Sequence, residues 1–160
     1  MARDYFAELY VAGILGDRGW TVYFPKRDVG FDFVITKEIA GAVVMRPVQV
    51  KGKYPNSERL KRVRYGYIGS LSQVHPEMLL AIPFFSADRL GTAPVCTAYC
   101  PRWRVRPQAG RGYACQPASW ADGVPRPRRE YTRFFDDAGL GAMEKPDWST
   151  SPAQFSSNGT

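Results

Sequence analysis

The chain is predicted to fold as an α/β domain, a central mixed β-sheet flanked by helices, on three observations. A proline-free helical segment opens it, alternating apolar strands that carry polar residues follow, and the continuous apolar run from Met78 to Ile82 reads as a central strand. A length of 160 residues with 44% hydrophobic content suits one core. Residues 1–145 are read as a single domain, and 146–160, which lack periodicity, as a flexible tail.

Arg3 to Asp17 ends before Gly19, which predicts one helix with a glycine stop. Phe6, Leu9, Tyr10, Gly13 and Ile14 form one apolar stripe, while Val11, Ala12 and Leu15 fall on another side together with Glu8. The helix is therefore apolar nearly all round, and Glu8 is its odd member. A glutamate in a first helix is ordinarily solvated, so only the strands that follow raise its weight.

Trp20 to Phe24 reads as a strand that ends at Pro25, and Lys26 to Gly30 turns the chain. From Phe31 to Thr36 the side chains alternate, placing Asp32 and Val34 on one face and Phe31, Phe33 and Ile35 on the other. An ionised carboxylate in so apolar a strand costs several kcal/mol to desolvate unless a donor or cation meets it. Glu38 to Ala42 reads as a hairpin loop into a third strand, where Val48 and Val50 share one face and Gln49 and Lys51 the other. Asp32, Gln49 and Lys51 then converge, either as a functional site or as an internal Asp32–Lys51 ion pair.

Taken in order, Glu8-x2-Val11-Ala12-x2-Leu15-x3-Gly19-Trp20, then Gly30-Phe31-Asp32-Phe33-Val34-Ile35, then Val48-Gln49-Val50-Lys51, the first third of the chain resembles the PD-(D/E)XK nucleases. It is most similar to the branch of methyl-directed restriction nucleases and archaeal Holliday-junction resolvases. Two departures stand: Phe31 replaces the proline before the aspartate, and the second acid is Gln49, as in the Gln-x-Lys variants. The resemblance implies a restriction-endonuclease-like fold and a metal-dependent DNA endonuclease. Asp32, Gln49 and the Val50 carbonyl would hold Mg2+ or Mn2+, Glu8 would bind its waters or a second ion, and Lys51 would position the attacking water. The alternative it leaves is a catalytically silent member of the same fold that binds nucleic acid or a protein, with Gln49 marking lost metal affinity.

Net charge is +7, concentrated in the middle: eight arginines lie in 102–133 against Asp122 and Glu130, while 134–160 is acidic. Such a distribution suits a polyanion, most simply nucleic acid, or equally a solvated arginine-rich loop; the resemblance makes DNA the expected nucleic acid. Lys53, Arg59, Lys61, Arg62 and Arg64, interleaved with Tyr65 and Tyr67, read as a strand-holding surface, the cations for phosphates and the tyrosines for unpaired bases. Cys96, Cys100 and Cys115 lack metal-ligand pairing and read as reduced structural thiols, and His75 before Pro76 as a turn residue. With no apolar run of about 20 residues and no secretory layout at its start, the chain is expected to be cytoplasmic, with no membrane partner and with a homodimer left open. Downstream, a helix is expected around Ile68 to Val74, a strand over Pro94 to Val105, irregular chain over 106–130 and a short helix from Tyr131 to Ala138.

Overall fold

The computed structural model describes residues 2–54, 64–69, 71, 74–86, 92–110, 112–121 and 124–152, with the backbone alone for 2–4 and 64–69. Helix α1 (Ala2–Asp17) leads to strand β1 (Thr21–Tyr23), and β2 (Phe33–Ile39) and β3 (Ala42–Val50) form a hairpin. Gly19 ends the helix at φ +89°, a left-handed turn that costs glycine little. The β2–β3 loop is tighter than expected: Ile39 pairs with Ala42, so only Ala40 and Gly41 turn the chain, at φ 53° and 79°. Both residues in the left-handed region is the signature of a type I′ hairpin, whose twist matches that of its strands.

After β4 (Arg64–Gly69) the chain returns as β5 (Leu79–Phe84) parallel to β3, and β6 (Cys96–Pro101) runs antiparallel beside it. The result is a five-stranded mixed sheet in the order β1-β2-β3-β5-β6. Leu79 and Ala81 point to one face and Leu80, Ile82 and Phe84 to the other, so β5 is buried on both, as a continuous apolar run requires.

On the first face α1 packs Ala7, Val11 and Leu15 against Phe33, Ile35, Val48 and Val50, joined by Leu140 and Met143 of α2 (Asp136–Met143). The Val11-Ala12-Leu15 side of α1 is the buried one, whereas Leu9 and Gly13 of the other stripe face outward. The second face is covered differently from the expectation of helices on both sides. There β7 (Arg106–Gln108), β8 (Gly112–Ala121) and β9 (Val124–Pro127) form a second sheet with β4, and Cys115, Ala118 and Trp120 pack onto Leu80, Ile82 and Phe84. The segment read as irregular is thus mostly strand, and Ile68 and Gly69 lie in β4 rather than in a helix. The chain after β6 makes a 3-10 turn at Arg102–Arg104, and Arg129–Phe134 forms another just before α2, so the short helix expected from Tyr131 begins later.

Residues 146–152, expected to belong to the tail, pack against the domain. Trp148 is buried against the Arg46 guanidinium, 4.5 Å from its ring centre, and Ser149 Oγ donates to Glu77 Oε1 at 2.7 Å. Arg46 itself, 2% exposed, donates to Glu77 Oε2 at 2.7 Å and to the Met143 carbonyl at 3.0 and 3.2 Å. A buried cation so fully met ties β3, the approach to β5 and the C-terminal turns together. Residues 153–160 lie outside the described residues.

All three cysteines are free and buried, as read from the sequence. Burial raises the Cys96 thiol to about 12, with Asp136 adding to it, so this thiol is inert. His75 stands in the turn before β5, its Nδ1 accepting the Glu77 amide at 3.1 Å. Among the described residues no helix is long and apolar enough to cross a membrane.

Candidate active site around Asp32

Gly30, at φ +84°, swings the chain into β2, its amide held by Asp28 Oδ1 at 2.8 Å in a side-chain turn. The regular strand starts only at Phe33. Phe31 therefore does not share the face of Phe33 and Ile35, as strict alternation had it; it packs into the cluster on the second sheet's side. Asp32 is anchored at the strand's threshold by its amide, which donates to the Val48 carbonyl at 2.9 Å.

Its side chain lies against β3. Asp32 Oδ2 accepts Gln49 Nε2 at 2.9 Å and the Val50 amide at 2.6 Å. An ionised carboxylate can only accept, so the Gln49 amide must turn its nitrogen, not its oxygen, toward Asp32. Charge-assisted bonds of this kind offset the desolvation of a half-buried carboxylate. Val48 and Val50 belong to the α1 cluster and Gln49 faces the other way, as the pleat requires.

Beyond Val50 the chain stays alongside β5. The Lys51 amide donates to Ala81 O at 2.9 Å, the Lys53 amide to Pro83 O at 2.8 Å, and Lys53 bridges in parallel with Phe84. This continues the register of Gln49 with Leu80 and Val50 with Ala81, so Gln49, Lys51 and Lys53 follow one face of the ladder. Both lysines are half-buried.

Gly52, between them, was given no role by sequence reasoning. A Cβ there would stand 2.9 Å from the Tyr54 ring and 3.1 Å from Ala7 Cβ, and Tyr54 is itself stacked on Phe85 at 4.6 Å. Only glycine lets α1 approach so closely. The approach seats Ala7, the neighbour of Glu8, against the neighbour of Lys51; Glu8 is half-buried on that helix. A glycine between two lysines at the end of an apolar strand is the sequence's signal of that approach.

Of the expected metal donors, Asp32, Gln49 and the Val50 backbone meet directly, and Val50 meets Asp32 through its amide rather than its carbonyl. Among the described residues no group of His, Cys, Asp and Glu side chains gathers that could hold a metal ion. Of the expected strand-holding residues, Arg59, Lys61 and Arg62 lie outside the described residues, and Arg64, Tyr65 and Tyr67 are described by the backbone of β4.

The arginine-rich middle divides in two. Arg102 donates to Val105 O at 2.7 Å, Arg104 lies within 4.6 to 5.4 Å of the Tyr131, Trp103 and Phe134 rings, Arg128 pairs with Glu130 at 2.9 Å, and Arg133 stacks on Phe134 at 4.8 Å. Arg106, Arg126 and Arg129 are exposed. No protein-family model, no curated protein and no solved structure matches the chain.

Proposed function

We propose that the chain is a nuclease-like domain that hydrolyses phosphodiester bonds of DNA in a divalent-metal-dependent reaction, and that its fold is restriction-endonuclease-like. The observation that carries this reading is the meeting of Asp32, Gln49 and Val50 where β2 and β3 run together, one residue before Lys51. The helix, antiparallel three-strand meander and parallel fourth strand support it.

The donor types suit a hard ion such as Mg2+: one carboxylate, one amide oxygen and a backbone carbonyl. Asp32, Gln49 and Val50 would hold it, with Glu8 reaching its waters, and Gln49 would have to turn its amide over to offer oxygen in place of nitrogen. Bound there, the ion would lower the pKa of a water and offset charge on the phosphate. Lys51 is placed by the β3–β5 ladder; its ammonium orients the attacking water and offsets the charge that grows on the phosphate oxygens. Gly52 lets α1 close over this end of the ladder.

The test is incubation of the full chain with supercoiled, linear, single-stranded and branched DNA, with and without Mg2+ or Mn2+. Cleavage that needs the ion and is lost in Asp32→Asn and in Lys51→Ala supports the reading; no cleavage of any form ends it. A second reading, a catalytically silent binder of nucleic acid or protein, is favoured by the Gln49 nitrogen facing Asp32, which satisfies the carboxylate without an ion. It is the outcome in which DNA binds and is not cut.

A further inference from the structure

A cavity of about 670 Å3 opens between the two 3-10 turns, α2 and the C-terminal turns, and no step above uses it. Its volume lies inside the range of about 300 to 1,000 Å3 in which small ligands are held. We propose that it binds an unpaired nucleobase together with its phosphate, a proposal that rests on the nucleic-acid reading and names the form of substrate, locally unpaired DNA.

Three aromatic side chains, Trp103, Phe134 and Trp148, stand in the wall. They are fixed: Trp103 Nε1 donates to the Trp148 carbonyl at 3.3 Å, Trp103 meets Phe134 edge-on at 5.7 Å, and Trp148 lies on Arg46. Arg133 shares the wall, its guanidinium 5.6 Å from the Trp103 centre and 4.8 Å from that of Phe134. A cation backed by two rings has already lost the freedom that binding would otherwise cost it, and its plane is itself a stacking surface. Lys145 adds a second, exposed cation at the rim.

Two carboxylates share the lining. Asp137 is fully exposed with Arg18 at 3.9 Å, and Asp147 is exposed too. A bare phosphate would leave the rings unused and meet both carboxylates, and an aliphatic chain would leave the cations unused. A nucleobase answers the whole set, because its faces stack, its edge carries both donors and acceptors for carboxylate and cation, and its phosphate meets Lys145 or Arg133. Ala138, Gly141 and Ala142, small side chains on the α2 side, leave the room.

The experiment follows the fluorescence of Trp103 and Trp148 while nucleoside monophosphates, inorganic phosphate, a single-stranded oligonucleotide and an abasic oligonucleotide of equal length are titrated in. The base-containing strand should bind about tenfold more tightly than the abasic one, the span expected for one stacked base. Trp103→Leu should remove that difference. Lys145→Ala, at an exposed site that leaves folding intact, should weaken both strands about threefold. Mononucleotides binding as tightly as the strand identify a free nucleotide as the source of the same chemistry; weaker binding identifies the strand. Equal binding of the two oligonucleotides to wild type, or phosphate binding as tightly as nucleotides, overturns the site. Failure here leaves ion-dependent cleavage of duplex DNA standing, whereas absent cleavage with base preference intact removes only the nuclease reading.

Discussion

Gln49→Glu would set two carboxylates across the 2.9 Å contact that now joins Gln49 Nε2 to Asp32 Oδ2. Two anions that close cannot both ionise cheaply, and the donated hydrogen bond is lost, so without metal the variant should be less stable than wild type by about 1 to 3 kcal/mol. Mn2+ should return that loss, because the pair now offers two charged oxygens. Thermal unfolding in chelator and in Mn2+ measures both; a variant that melts like wild type in each would mean that no ion is held by these side chains. The meeting of Asp32 with Gln49 was legible because alternation along short apolar strands leaves few places for a polar residue to point. What alternation could not reveal is the direction of the Gln49 amide, which is set by the acceptor-only carboxylate in front of it. Nor could it reveal Phe31, which lies before the regular strand begins and so escapes the pleat. Arg46 was hidden for another reason. Charged residues in strands usually face water, and only the fold reveals that this one stacks on Trp148 and meets Glu77 and the Met143 carbonyl. Arg46→Met would leave that carbonyl unmet and Glu77 with Ser149 but without its cation, and should cost about 2 to 4 kcal/mol in denaturant titration.

At the scale of elements, the β2–β3 hairpin carries a residue at odds with its conformation. Ala40 sits at φ 53° with a Cβ that crowds its own carbonyl, followed by Gly41 at 79°. Ala40→Asn would give the Asn-Gly pair such turns favour and should stabilise the domain by about 0.5 to 1 kcal/mol, since asparagine tolerates the left-handed region better. An unchanged or lower melting temperature would mean that the turn is not of this type. A second joint ties elements distant in sequence: Glu144 Oε1, just after α2, accepts Arg18 Nε at 3.1 Å and Lys37 Nζ at 3.0 Å. Burial pushes the Glu144 carboxyl up, but the hydrogen bonds and charges of Lys37 and Arg18 outweigh it and hold the pKa below the ordinary 4.5. A carboxyl depressed in the folded state stabilises it above its unfolded pKa, and that contribution is lost as pH falls through the folded value. Wild type should therefore lose stability from about pH 5 downward more steeply than Glu144→Gln, and parallel pH profiles would show the joint to be idle. The second sheet was illegible because prolines mark it as irregular. Pro107, Pro125 and Pro127 lie in the short strands β7 and β9 at its margin, and Pro117 lies where the β4–β8 register shifts between Tyr65 and Tyr67. These are the places where a missing amide does no harm to a ladder.

Across the whole molecule, the charge that first suggested a polyanion is not one surface. Among the described residues, four of the seven arginines in 102–133 are engaged: Arg102 with a carbonyl, Arg128 with Glu130, and Arg104 and Arg133 with aromatic rings. Arg106 and Arg126 instead project from β7 and β9, which pair with β8, and Arg129 opens the 3-10 turn that follows; all three are exposed. If nucleic acid follows that side of the second sheet, these three should supply phosphate contacts while Arg102, Arg104 and Arg128 serve the fold and Arg133 serves the cavity. Replacing Arg106, Arg126 and Arg129 together by alanine should then weaken DNA binding uniformly across sequences and flatten the plot of log affinity against log salt by about three units, roughly one per lost contact. Stability should hardly move, since exposed arginines contribute little to it. Arg104→Ala should do the reverse, lowering the melting temperature through its lost ring contacts and leaving the salt slope alone. A triple variant with an unchanged slope would take the second sheet out of the interface and leave the cations of 53–64, beside those of the cavity, for the phosphates, so that charge reversal at Arg59, Lys61, Arg62 and Arg64 would have to flatten the salt dependence instead.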